Sequence, residues 1–239
     1  QQWLQVLVDA KLPAHFLANL DLQSRRGDAP LLHDQLPDGS FVDRPSPNAT
    51  VLIRPSVGYA ITPWLSGWVG YLWQPAFFDD PSVRERRDVN EHRIFEQLST
   101  SFSLGPLTLG TRTRLEQRYR AHGPGSDLAD GGLPHWAHRV RQQIRGQVRL
   151  GEDSPWLAIV WDEIFFHLNQ TAYPSEPGLD QNRVFLGAGY QASPELRVEL
   201  GYLNQYVKRF TDADQLNHVL SASLVFRVDG SGDPPRPRR

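Results

Sequence analysis

Two stretches of this sequence concentrate one kind of chemistry. "RTRLEQRYR", residues 112 to 120, sets Arg112, Arg114, Arg118 and Arg120 around Glu116, and "HRVRQQIRGQVRL", residues 138 to 150, adds Arg139, Arg141, Arg145 and Arg149. Guanidinium groups stay ionised when desolvated and grip carboxylates or phosphates bidentately. The chemistry on offer is therefore anion recognition, ion-pair bracing of an enclosed space, or both. Lys11 and Lys208 are the only lysines. Positive charge carried almost wholly by arginine suits an enclosed network better than a solvated surface.

The elements that position these groups are legible from parity. In 107–120 the even positions are Thr108, Gly110, Arg112, Arg114, Glu116, Arg118 and Arg120, while the odd ones are Leu107, Leu109, Thr111, Thr113, Leu115, Gln117 and Tyr119. Every charge falls on one face, which is the strand pattern; a helix would spread the same arginines around its circumference. In 138–150 the four arginines share the odd face with Gln143 and Gln147. Val140, Ile144 and Val148 have a spacing a helix would also use, but Gly146 and Val148 disfavour helix and the neighbouring segments read as strands. The same alternation recurs at 15–25, 51–62, 181–191, 196–205 and 220–227, whereas 65–74, 92–104 and 156–169 carry aromatics on both faces. Pro55 is out of place in a run that otherwise reads as a strand, because proline is unwelcome in a central strand.

Connections sort by length. Short turns fall at 13–14, 62–64, 105–106, 151–155 and 193–194, and longer polar segments at 26–48, 76–90, 121–135, 170–180 and 208–216. Strict alternation of short and long connections is the pattern of an outer-membrane barrel with short periplasmic turns and long extracellular loops. The expected fold class is all-β, a transmembrane antiparallel up-and-down β-barrel of ten to twelve strands. Eleven candidate strands run from 3–11 to 217–228, whereas bacterial single-chain barrels normally have an even number. The expectation is that one more strand hides in 26–48, or that 3–11 is not a full stave. Residues 1–228 read as one barrel domain and 229–239, ending "DGSGDPPRPRR", as a disordered tail or linker. Tyr59, Trp64, Tyr71, Trp73, Tyr119, Trp136, Trp156, Tyr190, Tyr202 and Phe226 fall near strand ends, where aromatic girdles belong.

Composition narrows the classes. The net charge of −2 and the one-faced arginines argue against a nucleic-acid partner. The absence of cysteine rules out disulfides and thiolate metal sites. No apolar run approaches the ~18 residues of a spanning helix, which excludes a helical membrane protein and leaves a β-barrel open. The sequence starts at Gln1, as expected of a chain whose secretory signal has been removed or trimmed.

The ordered set "RPSVGYAIT", "GWVGYLWQP", "EHRIFEQL", "RTRLEQRY", "RVRQQIR", "WDEIFFHLN", "NRVFLGAGYQ" and "ELRVELGYLNQY" resembles an uncharacterised family of outer-membrane β-barrel proteins known only as a domain of unknown function, series number 2490. The resemblance runs from about Trp3 to Arg227. It implies a signal-bearing outer-membrane protein of Gram-negative bacteria and brings no catalytic residue. One departure is that Phe226 is followed by Arg227, Val228 and the tail, where such barrels usually end on the aromatic residue.

On a lipid-facing surface an arginine costs roughly 2–4 kcal/mol at the bilayer midplane, so the arginines are expected to line the lumen. Arg183, Arg197 and His167 join them by parity, with Glu116, Glu163, Glu199, Asp21 and Glu96 as the carboxylates. Strands lie about 4.8 Å apart, so like charges there need carboxylates between them. The functional expectation is a small, anion-preferring channel or a structural barrel. Its expected partners are outer-membrane lipids or lipopolysaccharide and small anionic solutes. The alternative is a lipid-modifying outer-membrane enzyme, hydrolase- or acyltransferase-like, using His92, His138, His167 or His218 with a serine such as Ser99, Ser101, Ser221 or Ser223. Without a GxSxG or HxxxH pattern, no catalytic, metal or cofactor residues are assigned. Asp79-Asp80 and Asp212 with Asp214 read as solvated loop acids.

Overall fold

A computed structural model describes residues 1–27, 32–35, 41–44, 49–77, 90–121, 136–171, 176–208 and 214–231. Among the described residues period-two alternation becomes thirteen strands: β1 (Gln2–Lys11), β2 (Phe16–Arg26), β3 (Leu32–Gln35), β4 (Phe41–Arg44), β5 (Ala49–Ala60), β6 (Leu65–Phe77), β7 (Asn90–Leu104), β8 (Leu107–Ala121), β9 (Trp136–Arg149), β10 (Trp156–His167), β11 (Gly178–Gln191), β12 (Leu196–Val207) and β13 (Gln215–Asp229). Eleven of them close into a barrel in the order β1-β13-β12-β11-β10-β9-β8-β7-β6-β5-β2. The other two, β3 and β4, pair only with each other.

Closure explains the odd count. Successive staves run antiparallel, so an odd number leaves the first and last pointing the same way. β1 accordingly pairs with β13 in parallel, from Gln2↔Leu220 to Lys11↔Asp229, and antiparallel with β2. Neither sequence-based expectation holds: 3–11 is a full stave, and 26–48 contributes a separate hairpin instead of a twelfth strand. One end of the barrel carries the short turns, among them Gly105-Pro106, where Gly105 has a φ of 59° that favours glycine. The strand ends that flank the long connections lie at the other end.

Pro55 also finds its reason. β5 pairs continuously with β2, including Leu20↔Pro55. Towards β6 the ladder passes from Ile53↔Trp73 to Ser56↔Gly70, so the missing N–H falls in a gap of the β6 side.

Inside, the half nearer the short turns is filled by rings laid over glycines. A Cβ on Gly70 would stand 2.2 Å from the Phe95 ring, one on Gly58 2.5 Å from Trp68, and ones on Gly187 and Gly201 2.5 and 2.6 Å from Phe185. Phe185 in turn stacks on Trp161 at 5.3 Å, beside buried Leu157, Ile159 and Leu203. Outside, the pattern is inverted relative to a water-soluble protein. Leu4, Val57, Val69, Leu98, Ile144, Val160, Leu186, Leu200 and Leu220 are all exposed large apolar side chains.

Candidate functional site: the charged lumen

Among the described residues eight arginines and six carboxylates are buried, most of them in the half nearer the long connections. They come together because strands of opposite direction bring their inward residues level: Glu116↔Arg139 and Arg114↔Arg141 face each other across β8 and β9. Glu116, 1% exposed, is the hub. Its Oε2 accepts from Arg139 Nη2 at 2.6 Å and its Oε1 from Arg141 Nη1 at 2.6 Å, with Arg93 at 3.6 Å and Arg114 at 3.8 Å. Arg141 reaches on to Glu163 at 2.9 Å, which also receives Arg112 at 2.8 Å. Arg118 donates to Glu91 at 2.6 Å. Nearer the short turns Glu199 accepts from Arg145 at 2.7 Å and Arg197 at 2.8 Å. Shared carboxylates relieve the repulsion between neighbouring guanidiniums, and hydrogen bonds at these lengths are the strong, charge-assisted kind. The network also packs on rings: Arg114 lies 4.1 Å over Phe95, and Arg139, Arg141 and Arg183 lie 4.9, 4.6 and 4.5 Å from the centre of Phe165, close enough for cation–π attraction.

The residues singled out from the sequence separate as follows. Arg112, Arg114, Glu116, Arg118, Arg139, Arg141, Arg145, Glu163, His167, Arg183, Arg197 and Glu199 are all in this interior network. Arg149 is exposed at the short-turn end, where its guanidinium donates to Ser154 O at 3.4 Å. The Arg120 side chain lies outside the described residues, as do Asp79, Asp80 and Asp212. Glu96 corrects the expectation: it faces outward and accepts a hydrogen bond from Gln117 at 2.9 Å. Its strand breaks the polar-in rule, because Phe95 points in, buried, while Glu96 points out.

Several partners were not legible. Glu91 and Arg93 (2.8 Å apart) sit on the same ambiguous strand. Arg54 pairs with Asp21, both buried. Asp180, read as part of a loop, receives Arg139 Nη1 at 2.9 Å and stands 3.2 Å from His167 Nε2. It enters the lumen through a β-bulge. The β10–β11 register jumps from Phe165↔Gln181 to Phe166↔Leu179, skipping Asp180, and the extra residue turns it to the inner side.

The histidines do not find serines. Tyr71 and His92 bond each other through the hydroxyl and Nδ1, Tyr202 and His218 do the same at 2.5 Å, and both pairs face outward. Among the described serines, Ser99 accepts from Gln97 at 2.8 Å and Ser223 lies 3.4 Å from Gln5 Oε1. Among the described residues no serine–histidine contact is present, and no group of three or more His, Asp or Glu is close enough to hold a metal.

The model of a family described as protein of unknown function (DUF2490) matches residues 1–217. The chain belongs to that family. The matched span takes in β1 to β12 and the first residues of β13, so the arginines and carboxylates of the charged network of this DUF2490 barrel fall inside it. The chain is also similar to an uncharacterized protein of Methylorubrum extorquens, 29% identical over 179 residues, which cover 74% of this chain and 72% of the relative. No solved structure matches.

Proposed function

We propose that this DUF2490 chain is an outer-membrane β-barrel whose lumen is closed by its own charged network, a structural barrel that passes small anions only when that network loosens. One observation carries the reading: the outer wall is apolar and ringed by aromatics while the interior holds the charge. At the short-turn end Phe16 meets Tyr59 at 5.5 Å, Trp64 stacks on Phe102 at 5.4 Å, and Trp156 meets Tyr190 at 4.9 Å. At the other end stand Tyr119–Trp136, Tyr71–His92 and Tyr202–His218. Along β13, His218 to Phe226 spans roughly 27 Å of strand. At a tilt of ~40° that is about 21 Å of height, comparable with the ~25 Å apolar band of an outer-membrane barrel. In water the same wall would be an aggregation surface. Closure follows from the interior: guanidiniums locked to carboxylates at one end, and rings seated on glycines at the other, leave little bore.

Two measurements test this. Extracted from membranes, the chain should require detergent; a monomer that stays soluble without it sinks the membrane reading. In planar bilayers the wild type should be almost non-conducting, and a large, steady conductance would replace the closed barrel with an open channel. A substitution separates lipid from water on the outer wall. Leu186, 65% exposed, lies level with Val160 and Tyr202. Leu186→Arg should cost about 2–4 kcal/mol of folding free energy in a lipid bilayer, read from urea titrations in liposomes. A cost near zero would mean that this face meets water.

A further inference from the structure

The lumen has two unlike walls. On β7 to β10 every described buried arginine has a carboxylate within 4 Å. The wall at the barrel's seam, from β11 through β13 and β1 to β2, is lined instead by amides near the long-connection mouth: Gln23 and Gln205 are buried, Gln205 donates to Gln181 Oε1 at 3.1 Å, and Asn217 donates to Gln205 at 3.4 Å. Two arginines stand among these amides on one indole ring. The Arg25 guanidinium lies 4.1 Å from the centre of Trp3 and that of Arg183 5.1 Å. Their hydrogen bonds go to glutamine oxygens, Arg25 to Gln23 at 2.8 and 3.1 Å and Arg183 to Gln181 at 2.8 Å. Arg183 comes no nearer to a carboxylate than 4.0 Å, at Glu163, and its buried Nε has no partner. Among the described residues Arg25 forms no ion pair at all. A glutamine oxygen satisfies a donor but brings no charge, so two like charges share a ring with little to neutralise them.

We propose that this pair is an oxyanion site: Arg25 and Arg183, seated on Trp3 at the mouth, bind a phosphate or carboxylate group between them. The planar guanidinium fork matches either group bidentately. Arg183 is 7% exposed whereas Arg25 is half-buried, so the anion meets Arg25 first and Arg183 beneath it. The site deepens the closed-barrel reading by naming what the mouth holds, and it rests on that reading only for the side of a membrane on which the mouth opens. A phosphate group could arrive as the free ion or as part of a lipid headgroup; the chemistry of capture is the same.

The test uses the full chain refolded in detergent, free of lipopolysaccharide, in equilibrium dialysis against radiolabelled inorganic phosphate at constant ionic strength set with chloride. Saturable binding of one phosphate per barrel is expected, displaced by acetate if the site takes carboxylates as well. Arg25→Gln and Arg183→Gln should each weaken it tenfold or more. Arg25→Lys, which keeps the charge and loses the fork, should weaken it by less. Lys11→Gln, at the opposite end, should leave it unchanged. If Arg183→Gln fails to fold, the half-buried Arg25 variants still decide the matter. Vesicles containing lipopolysaccharide form a second arm: displacement of inorganic phosphate from the wild type assigns the site to a lipid phosphate, and lack of displacement assigns it to a free anion. Absence of saturable binding in every arm, or wild-type binding by both glutamine variants, overturns the site. A chain that proves water-soluble yet binds phosphate through Arg25 would sink the membrane reading and leave the site standing.

Discussion

Glu116→Gln is expected to destabilise the barrel by about 3–5 kcal/mol, the scale for breaking a buried ion pair by removing one partner. The carboxylate is almost fully enclosed and serves Arg139 and Arg141 directly, with Arg93 and Arg114 just beyond hydrogen-bond reach. Glutamine keeps the shape and one acceptor, but its NH2 points a donor at a guanidinium and the charge is gone. Arg141 retains Glu163 and Arg139 retains Asp180, so the network is weakened at its hub and not erased. The urea midpoint of the refolded protein reads the effect. The same variant should admit anions in planar bilayers, since the group holding the two halves of the network together no longer does so. Arg112→Gln is the contrast. Its arginine is partly exposed and shares Glu163 with Arg141, so its loss should cost only about 1 kcal/mol, as for solvent-screened pairs. Equal midpoints for wild type and Glu116→Gln would show that the network carries no stability.

Gly187→Val should cost about 3 kcal/mol or more, the upper range for overpacking, and should show as failed refolding or a lowered urea midpoint. Gly187 pairs directly with Gly201. A Cβ at 187 would stand 2.5 Å from Leu200 O and 2.9 Å from Gly201 Cα, with the Phe185 ring also at 2.5 Å. Backbone oxygen and Cα cannot swing aside as a flexible side chain would, so the two strands must separate or the ring must leave the lumen. Gly146→Ala supplies the control. There a Cβ meets Val160 Cγ1 at 3.6 Å and Leu109 Cδ2 at 3.7 Å, ordinary contacts, and reduced freedom of the unfolded chain should give a change within about 1 kcal/mol, in the stabilising direction. A large loss at Gly146 would show that the lumen filling is not what distinguishes the two positions.

Most of the architecture was readable in order along the chain because a strand converts residue parity into a face. The arginines of "RTRLEQRYR" and "RVRQQIR" illustrate it: Arg112, Arg114 and Arg118 share one side, Leu115 the other, and the sides proved to be lumen and outer wall. Alternating short and long connections were equally legible, since turns need glycine or proline at particular places while long polar segments announce themselves by composition. The reading failed where parity fails. At Phe95 and Glu96 an aromatic fills the lumen over Gly70 and an acid faces outward beside Gln117, so polarity no longer reports direction. At Asp180 a bulge inserts one residue and moves an outward position inward.

What the sequence by itself determined is therefore local: which segments are strands, which residues of each share a face, and that arginine, not lysine, carries the charge. Only the tertiary structure decided how many staves close the barrel, because closure is a pairing between Gln2–Lys11 and Leu220–Asp229, residues at opposite ends of the chain with no shared signal along it. It alone decided which carboxylate meets which arginine, since cross-strand partners follow from register. And it alone set Arg25 and Arg183 on one ring with no carboxylate closer than Glu163, 4.0 Å from Arg183, because the distance between β2 and β11 exists only once the seam has formed.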